Sequence, residues 1–180
     1  FCHLAFRQLD RFMPFHHLGR ETCVEPVYWK DGWFYIGTDG QALLETEVET
    51  DHKIGTQNFS YEKTFANLSL KNDWNYIRNP EFENYKISDD GIELKSSPVT
   101  LSEAKSPSWI GVRACEFEED FSCNVACGGG EAGLSIMMDE NHHYEVFISN
   151  ADGKFSANLR LRIGPCDYIK NTVELKSDTA

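Results

Sequence analysis

The sequence predicts an all-β protein, and three observations carry that expectation. Helical periodicity is almost absent, since hardly any stretch repeats apolar residues at i, i+3, i+4 and i+7 beyond two turns. Short alternating or aromatic runs recur instead, such as Trp33-Phe34-Tyr35-Ile36 and Glu145-Val146-Phe147-Ile148. Asp-Gly pairs punctuate the chain at 31–32, 39–40, 90–91 and 152–153, and glycine there supplies the positive φ that a tight hairpin turn needs.

Each element follows from this rhythm. Val27-Tyr28-Trp29-Lys30 and Trp33–Ile36 read as the arms of a hairpin about Asp31-Gly32. Ile87 to Lys95 reads as another around Asp90-Gly91. Glu145–Ile148 and Phe155–Ile163 flank Asp152-Gly153. In the second of these, Phe155, Ala157, Leu159, Leu161 and Ile163 fall on one face, and Ser156, Asn158, Arg160 and Arg162 on the other. That is the pattern of a half-buried antiparallel strand. His142-His143, beside Asp139-Glu140, reads as an exposed turn rather than a metal site. Gly128-Gly129-Gly130 lacks a following Lys-Ser/Thr, so it reads as a strand connection and not a phosphate loop. Val173-Glu174-Leu175-Lys176 reads as the start of further strands.

A boundary is expected near residue 50. Glu45, Glu47, Glu49 and Asp51 form an acidic stretch, and His52 to Gln57 is polar and turn-like. The division is therefore 1–50, a linker at 51–56, and 57–180, the last on the scale of a β-sandwich. Residues 1–50 are too few to bury a core alone. The chain opens on Phe1 rather than Met and stops soon after a strand-like run, so both ends read as cut from something longer. An incomplete sheet exposes edge strands that favour pairing with another chain, which makes a homo-oligomer compatible with this reading.

Composition narrows the function. The 17 Lys and Arg stand against 29 Asp and Glu, a formal charge of -12, which argues against a general nucleic-acid or anionic-membrane binder. The longest apolar run, Trp33 to Ile36, is too short for a membrane-spanning helix or a signal-peptide core. Six cysteines without a CxxC pair suggest free, mostly buried thiols in a soluble protein, with the cytoplasm favoured over secretion.

The densest chemistry lies in His16-His17-Leu18-Gly19-Arg20-Glu21-Thr22. An arginine offers a planar fork of donors that grips a carboxylate or a pair of hydroxyls. An imidazole binds metals or moves protons. Adjacent histidines on a strand point to opposite faces, so one ion does not easily take both. From residue types alone, an ordinary ion pair of Arg20 with Glu21 is the stronger reading.

A resemblance changes the weighing. His16 to Thr22, followed by Pro26-Val27-x-Trp29-x-Asp31-Gly32-Trp33, resembles the end of the five-bladed catalytic β-propeller of glycoside hydrolase family 43. Phe6-Arg7-Gln8 and Phe12-Met13-Pro14-Phe15 look like the strand and loop before that motif. Downstream, Asp73 to Pro80, Ser106 to Arg113, Glu131-Ala132-Gly133-Leu134 and Asn141-His142-His143-Tyr144 resemble the concanavalin A-like sandwich attached to many β-xylosidases of the family. The resemblance implies a propeller remnant at 1–50 and most of a sandwich at 57–180. It implies a parent that cleaves terminal xylosyl or arabinosyl linkages of plant-cell-wall oligosaccharides with inversion. Inversion needs two carboxyl groups about 6.5–9.5 Å apart. In the family these lie on earlier blades, so no catalytic residue is assigned here, and Glu21, Glu25 and Asp31 are not given that role. The fragment alone is expected to be inactive. Arg20 is carried over as a substrate-binding residue. His17, ahead of His16, is carried over as a residue facing the pocket or a central ion, with a structural calcium in the complete propeller as the candidate. The alternatives are a non-catalytic carbohydrate-binding module, with Trp74, Tyr76, Trp109, Tyr144 and Phe147 as stacking candidates, or a purely structural domain. For those aromatics, packing is the stronger expectation.

Overall fold

The computed structural model describes residues 1–8, 12, 16–38, 40–43, 45–47, 51, 74–88 and 91–176. The expected linker, apart from Asp51, and residues 57–73 lie outside the described residues. The chain divides into two compact units, Phe1–Glu62 with Ala114–Asp120, and Lys63–Arg113 with Phe121–Ala180.

In the first unit, β1 (Cys2–Ala5) pairs antiparallel with β2 (Glu21–Val24). Phe1 and Glu25 extend the ladder by exchanging two backbone hydrogen bonds of 2.8 Å. Next, β3 (Val27–Lys30) and β4 (Trp33–Ile36) form the hairpin the Asp-Gly signal predicts. Its turn holds Asp31 at φ 52° and Gly32 at φ 81°, both positive, as the tightest hairpin turn requires. Tyr28 stacks on Tyr35 at 5.6 Å and Trp29 meets Phe34 edge-on at 6.1 Å. These pairs occupy opposite faces, so both faces of the hairpin carry aromatic rings, and Tyr28, Trp29, Trp33 and Phe34 are exposed.

In the second unit, a single 3-10 turn (Phe82–Asn84) leads into the hairpin of β5 (Tyr85–Ser88) and β6 (Gly91–Leu94). Four ten-residue strands follow: β7 (Gly130–Asp139), β8 (His142–Ala151), β9 (Lys154–Ile163) and β10 (Cys166–Leu175). They form one antiparallel sheet in the order β10-β9-β8-β7. The Asp152-Gly153 turn joins β8 to β9 with φ of 53° and 79°. Val173–Leu175 ends β10 rather than opening new strands. The register of β10 shifts between Ile169 and Asn171, which breaks the two-residue alternation and hides the strand from a pattern search.

The alternation in β9 is as expected, but its burial is not. Asn158, on the polar face, is 8% exposed, whereas Ile163, on the apolar face, is 47% exposed. The middle of the polar face is linked by hydrogen bonds. Asn158 donates to Ser149 at 3.0 Å and accepts from Thr172 Oγ1 at 2.9 Å, and the Ser149 and Ser156 hydroxyls bond at 2.9 Å. Arg160 lies 4.5 Å over the Phe147 ring and reaches Glu131 and Glu145. Trp109 donates its indole N–H to Ser135 at 2.7 Å on that same face. The apolar face is unevenly buried: Ile148, opposite Ala157, is 2% exposed, whereas Ile136, Val146 and Val173 are exposed.

Tyr85 anchors the second unit's loops. Its hydroxyl accepts the Trp109 N–H at 3.0 Å and lies 3.1 Å from the Trp109 carbonyl, and burial raises its phenol pKa. None of the six cysteines is in a disulfide, and only Cys127 is buried. The expectation of mostly buried thiols is corrected: Cys2, Cys115, Cys123 and Cys166 sit on short loops or edge strands, which expose them.

Candidate functional site

The segment entering β2 carries the candidate site. Gly19 sits at φ 81°, a left-handed conformation that strains a residue with a β-carbon. The turn it makes delivers Arg20 to the threshold of β2. The Arg20 side chain is exposed and has no hydrogen bond or ion pair with any described residue.

Glu21 does not pair with Arg20, as the residue types alone suggested. Its carboxylate is held two-pronged by Arg7, Nε to Oε2 at 2.9 Å and an Nη to Oε1 at 3.2 Å. The same guanidinium donates to Glu116 Oε2 at 2.9 Å and to the Cys115 carbonyl at 2.6 Å, and it lies 5.6 Å from the Phe117 ring centre. Arg7 was not singled out in the sequence as a site residue. A signal for it existed in the strand geometry. Ala5 opposes Glu21 in the β1–β2 register, and Arg7, two residues on, returns to the same side.

The Arg7 guanidinium lowers the Glu21 carboxyl below the usual range, chiefly by hydrogen bonding. A depressed carboxyl contributes stability above its unfolded value of about 4.3 and loses it as pH falls through the folded value. A carboxyl titration by NMR should therefore place Glu21 below an ordinary glutamate, and Arg7→Gln should return it to the ordinary range.

The two histidines diverge. His16 stacks on Phe6 at 4.4 Å, while His17 is exposed and meets Phe117 edge-on at 5.5 Å. Among the described residues, no three His, Cys, Asp or Glu side chains gather to hold an ion. Calcium takes about six to eight oxygen ligands, and these imidazoles offer nitrogen. The donor set here does not fit calcium, and no step is assigned to one. The acidic residues nearby have structural partners. Glu25 is 3% exposed and accepts the Leu43 N–H at 3.0 Å, and Asp31 forms the β3–β4 turn.

The aromatic stacking candidates are mostly engaged in packing. Tyr76 packs edge-on against Phe82 and Tyr85, Trp109 covers Gly111, and Phe147 lies under Arg160. Trp74 is half-buried, and Tyr144 stays exposed on the apolar face. His142 and His143 also part company. His142 Nδ1 bonds Asp139 at 2.9 Å beside the turn, with Asp139 also accepting the Asn141 N–H at 2.7 Å. His143 is not in an exposed turn; it is buried in β8, facing Glu145 at 3.3 Å.

Fold and site together define an all-β chain: a long antiparallel sheet, and a second strand unit that bears an exposed arginine with no partner among the described residues. Residues 62–178 match the beta xylosidase C-terminal concanavalin A-like domain, and the chain belongs to that family. The sheet is thus part of a concanavalin A-like β-sandwich. A non-reducing end alpha-L-arabinofuranosidase of Bacteroides ovatus is 30% identical over 160 residues, which cover 81% of this chain and 29% of that protein. A xylosidase/arabinosidase of Butyrivibrio fibrisolvens is 26% identical over 165 residues, covering 86% of this chain and 31% of that one. A glycoside hydrolase family 43 protein of Bacillus licheniformis has the same fold, with a TM-score of 0.77 at 15% identity, covering 99% of this chain and 35% of that one. The chain thus spans less than a third of the length of these two curated relatives.

Proposed function

We propose that this chain is the closing part of an inverting glycoside hydrolase that releases terminal xylosyl or arabinosyl residues from plant-cell-wall oligosaccharides. The domains are read as a propeller remnant at 1–50 and a sandwich from 57 onward. Arg20 and His17 are the sugar-contacting residues of this reading. The acid and base belong to the part of the relatives' length that this chain does not span.

The observation that carries the reading is the Arg20 guanidinium, exposed and with no hydrogen bond or ion pair to a described residue, beside an occupied Glu21. An arginine whose neighbouring carboxylate is already taken is available to bond sugar hydroxyls and to act on a nearby acid. The experiment is hydrolysis of nitrophenyl xyloside and nitrophenyl arabinofuranoside by the complete polypeptide and by these 180 residues. Activity of the complete polypeptide with none in the short chain is the expected result. A complete polypeptide that binds xylo-oligosaccharides without cleaving them would instead point to the carbohydrate-binding alternative.

A further inference from the structure

Within the first unit, residues 115–119 form a small folded cap. The Glu119 carboxylate accepts the Cys115 N–H at 2.6 Å and the Glu116 N–H at 2.9 Å, which fixes their turn. From this turn three groups meet the loop at 17–21. The Cys115 carbonyl and the Glu116 carboxylate hold Arg7, whose other edge grips Glu21. Phe117 presents its ring to both Arg7 and His17. The loop is therefore tied at both ends, His17 through Phe117 and Glu21 through Arg7. Between the ties, Gly19 turns and Arg20 is exposed, with no hydrogen bond or ion pair to a described residue.

We infer that residues 115–119 are a strap that presets the Arg20 loop for its ligand, with Arg7, Glu116 and Phe117 as positioning residues that do not themselves touch sugar. The inference rests on the reading of Arg20 as a sugar contact. Its physical basis is preorganisation. Ordering each residue of a loose loop costs backbone entropy, and that cost is taken from the binding free energy. A single exposed ion pair is worth little. A two-pronged arginine that also reaches a second carboxylate, a carbonyl and an aromatic face is directional, and direction is what positioning needs.

Two readouts test this separately from the proposed reaction. In the 180-residue chain, tryptic cleavage of the Arg20–Glu21 bond reports how freely the loop moves. Arg7→Gln and Phe117→Leu should each speed that cleavage by about fivefold or more, with cleavage elsewhere and Tm little changed. In the complete polypeptide, Arg7→Gln should raise KM by about tenfold with kcat within about threefold, the mark of lost binding rather than lost chemistry. Glu116→Gln, which keeps the Glu21 grip, should give a smaller effect in the same direction. Unchanged cleavage at Arg20 in both Arg7→Gln and Phe117→Leu overturns the strap, as does a fall in kcat with KM unchanged. If the unmutated complete polypeptide hydrolyses no pentoside, the proposed function fails, and the cleavage rates still decide whether the strap holds the loop.

Discussion

Replacing Arg20 by alanine in the complete polypeptide should lower kcat/KM on a terminal pentoside by about 10²–10³-fold, with Tm unchanged. The two halves of that expectation have separate grounds. Stability should not move, because the side chain is exposed and gives no hydrogen bond or ion pair to a described residue. Activity should fall chiefly through KM, because the hydrogen bonds that a charged guanidinium gives to sugar hydroxyls are worth about 1.5–3 kcal/mol each. Arg20→Lys should recover only part of the loss, since an ammonium keeps the charge but not the planar fork. Steady-state kinetics and a thermal melt on the same samples check both halves. A kcat/KM within about twofold of the parent, or a large drop in Tm, would show Arg20 to be ordinary surface or structure.

Gly133→Ala should be the most damaging small substitution in the four-stranded sheet, at about 3 kcal/mol of stability. A β-carbon at 133 would stand 2.1 Å from the Val146 carbonyl oxygen and 2.5 Å from the Phe147 Cα. Those are backbone atoms of a central strand, paired on both sides, so they cannot swing aside as a flexible side chain would. Relief requires β7 and β8 to separate locally, which breaks ladder bonds around the Gly133–Phe147 pair. Gly128, with open space around its Cβ position, is the control, and Gly128→Ala should be close to neutral. Urea unfolding of both variants checks this. Equal midpoints for the two would contradict the close-packing account.

The Gly133 case shows what the sequence made legible. Glu131-Ala132-Gly133-Leu134 was readable as a signpost, yet its reason, close approach of two backbones, needed the register. Hairpins announced by Asp31-Gly32 and Asp152-Gly153 were readable because positive φ is a local demand. The face assignment in β9 was readable from the two-residue period, but its burial was not. Period tells which side chains share a face and says nothing about what lies over it, and here each face holds buried residues, Phe147 and Asn158 on the polar side and Ile148 on the apolar one. The bulge in β10 interrupted the same period and concealed a whole strand.

At the candidate site, Arg20 and His17 were legible only through resemblance, because residue types alone favoured an Arg20–Glu21 pair. The structure gives Glu21 to Arg7 and so removes that pair. Arg7, Glu116 and Phe117 were missed because their meeting depends on a contact across about a hundred residues of sequence, Arg7 to Glu116, which no local pattern encodes.

The most direct test of the account is the release of nitrophenol from nitrophenyl xyloside and nitrophenyl arabinofuranoside by the purified 180-residue chain, beside the complete polypeptide as a positive control. The account predicts turnover by the complete polypeptide and none above buffer by the short chain. Turnover by the short chain that survives further purification would contradict it, because the acid and base would then lie within these residues.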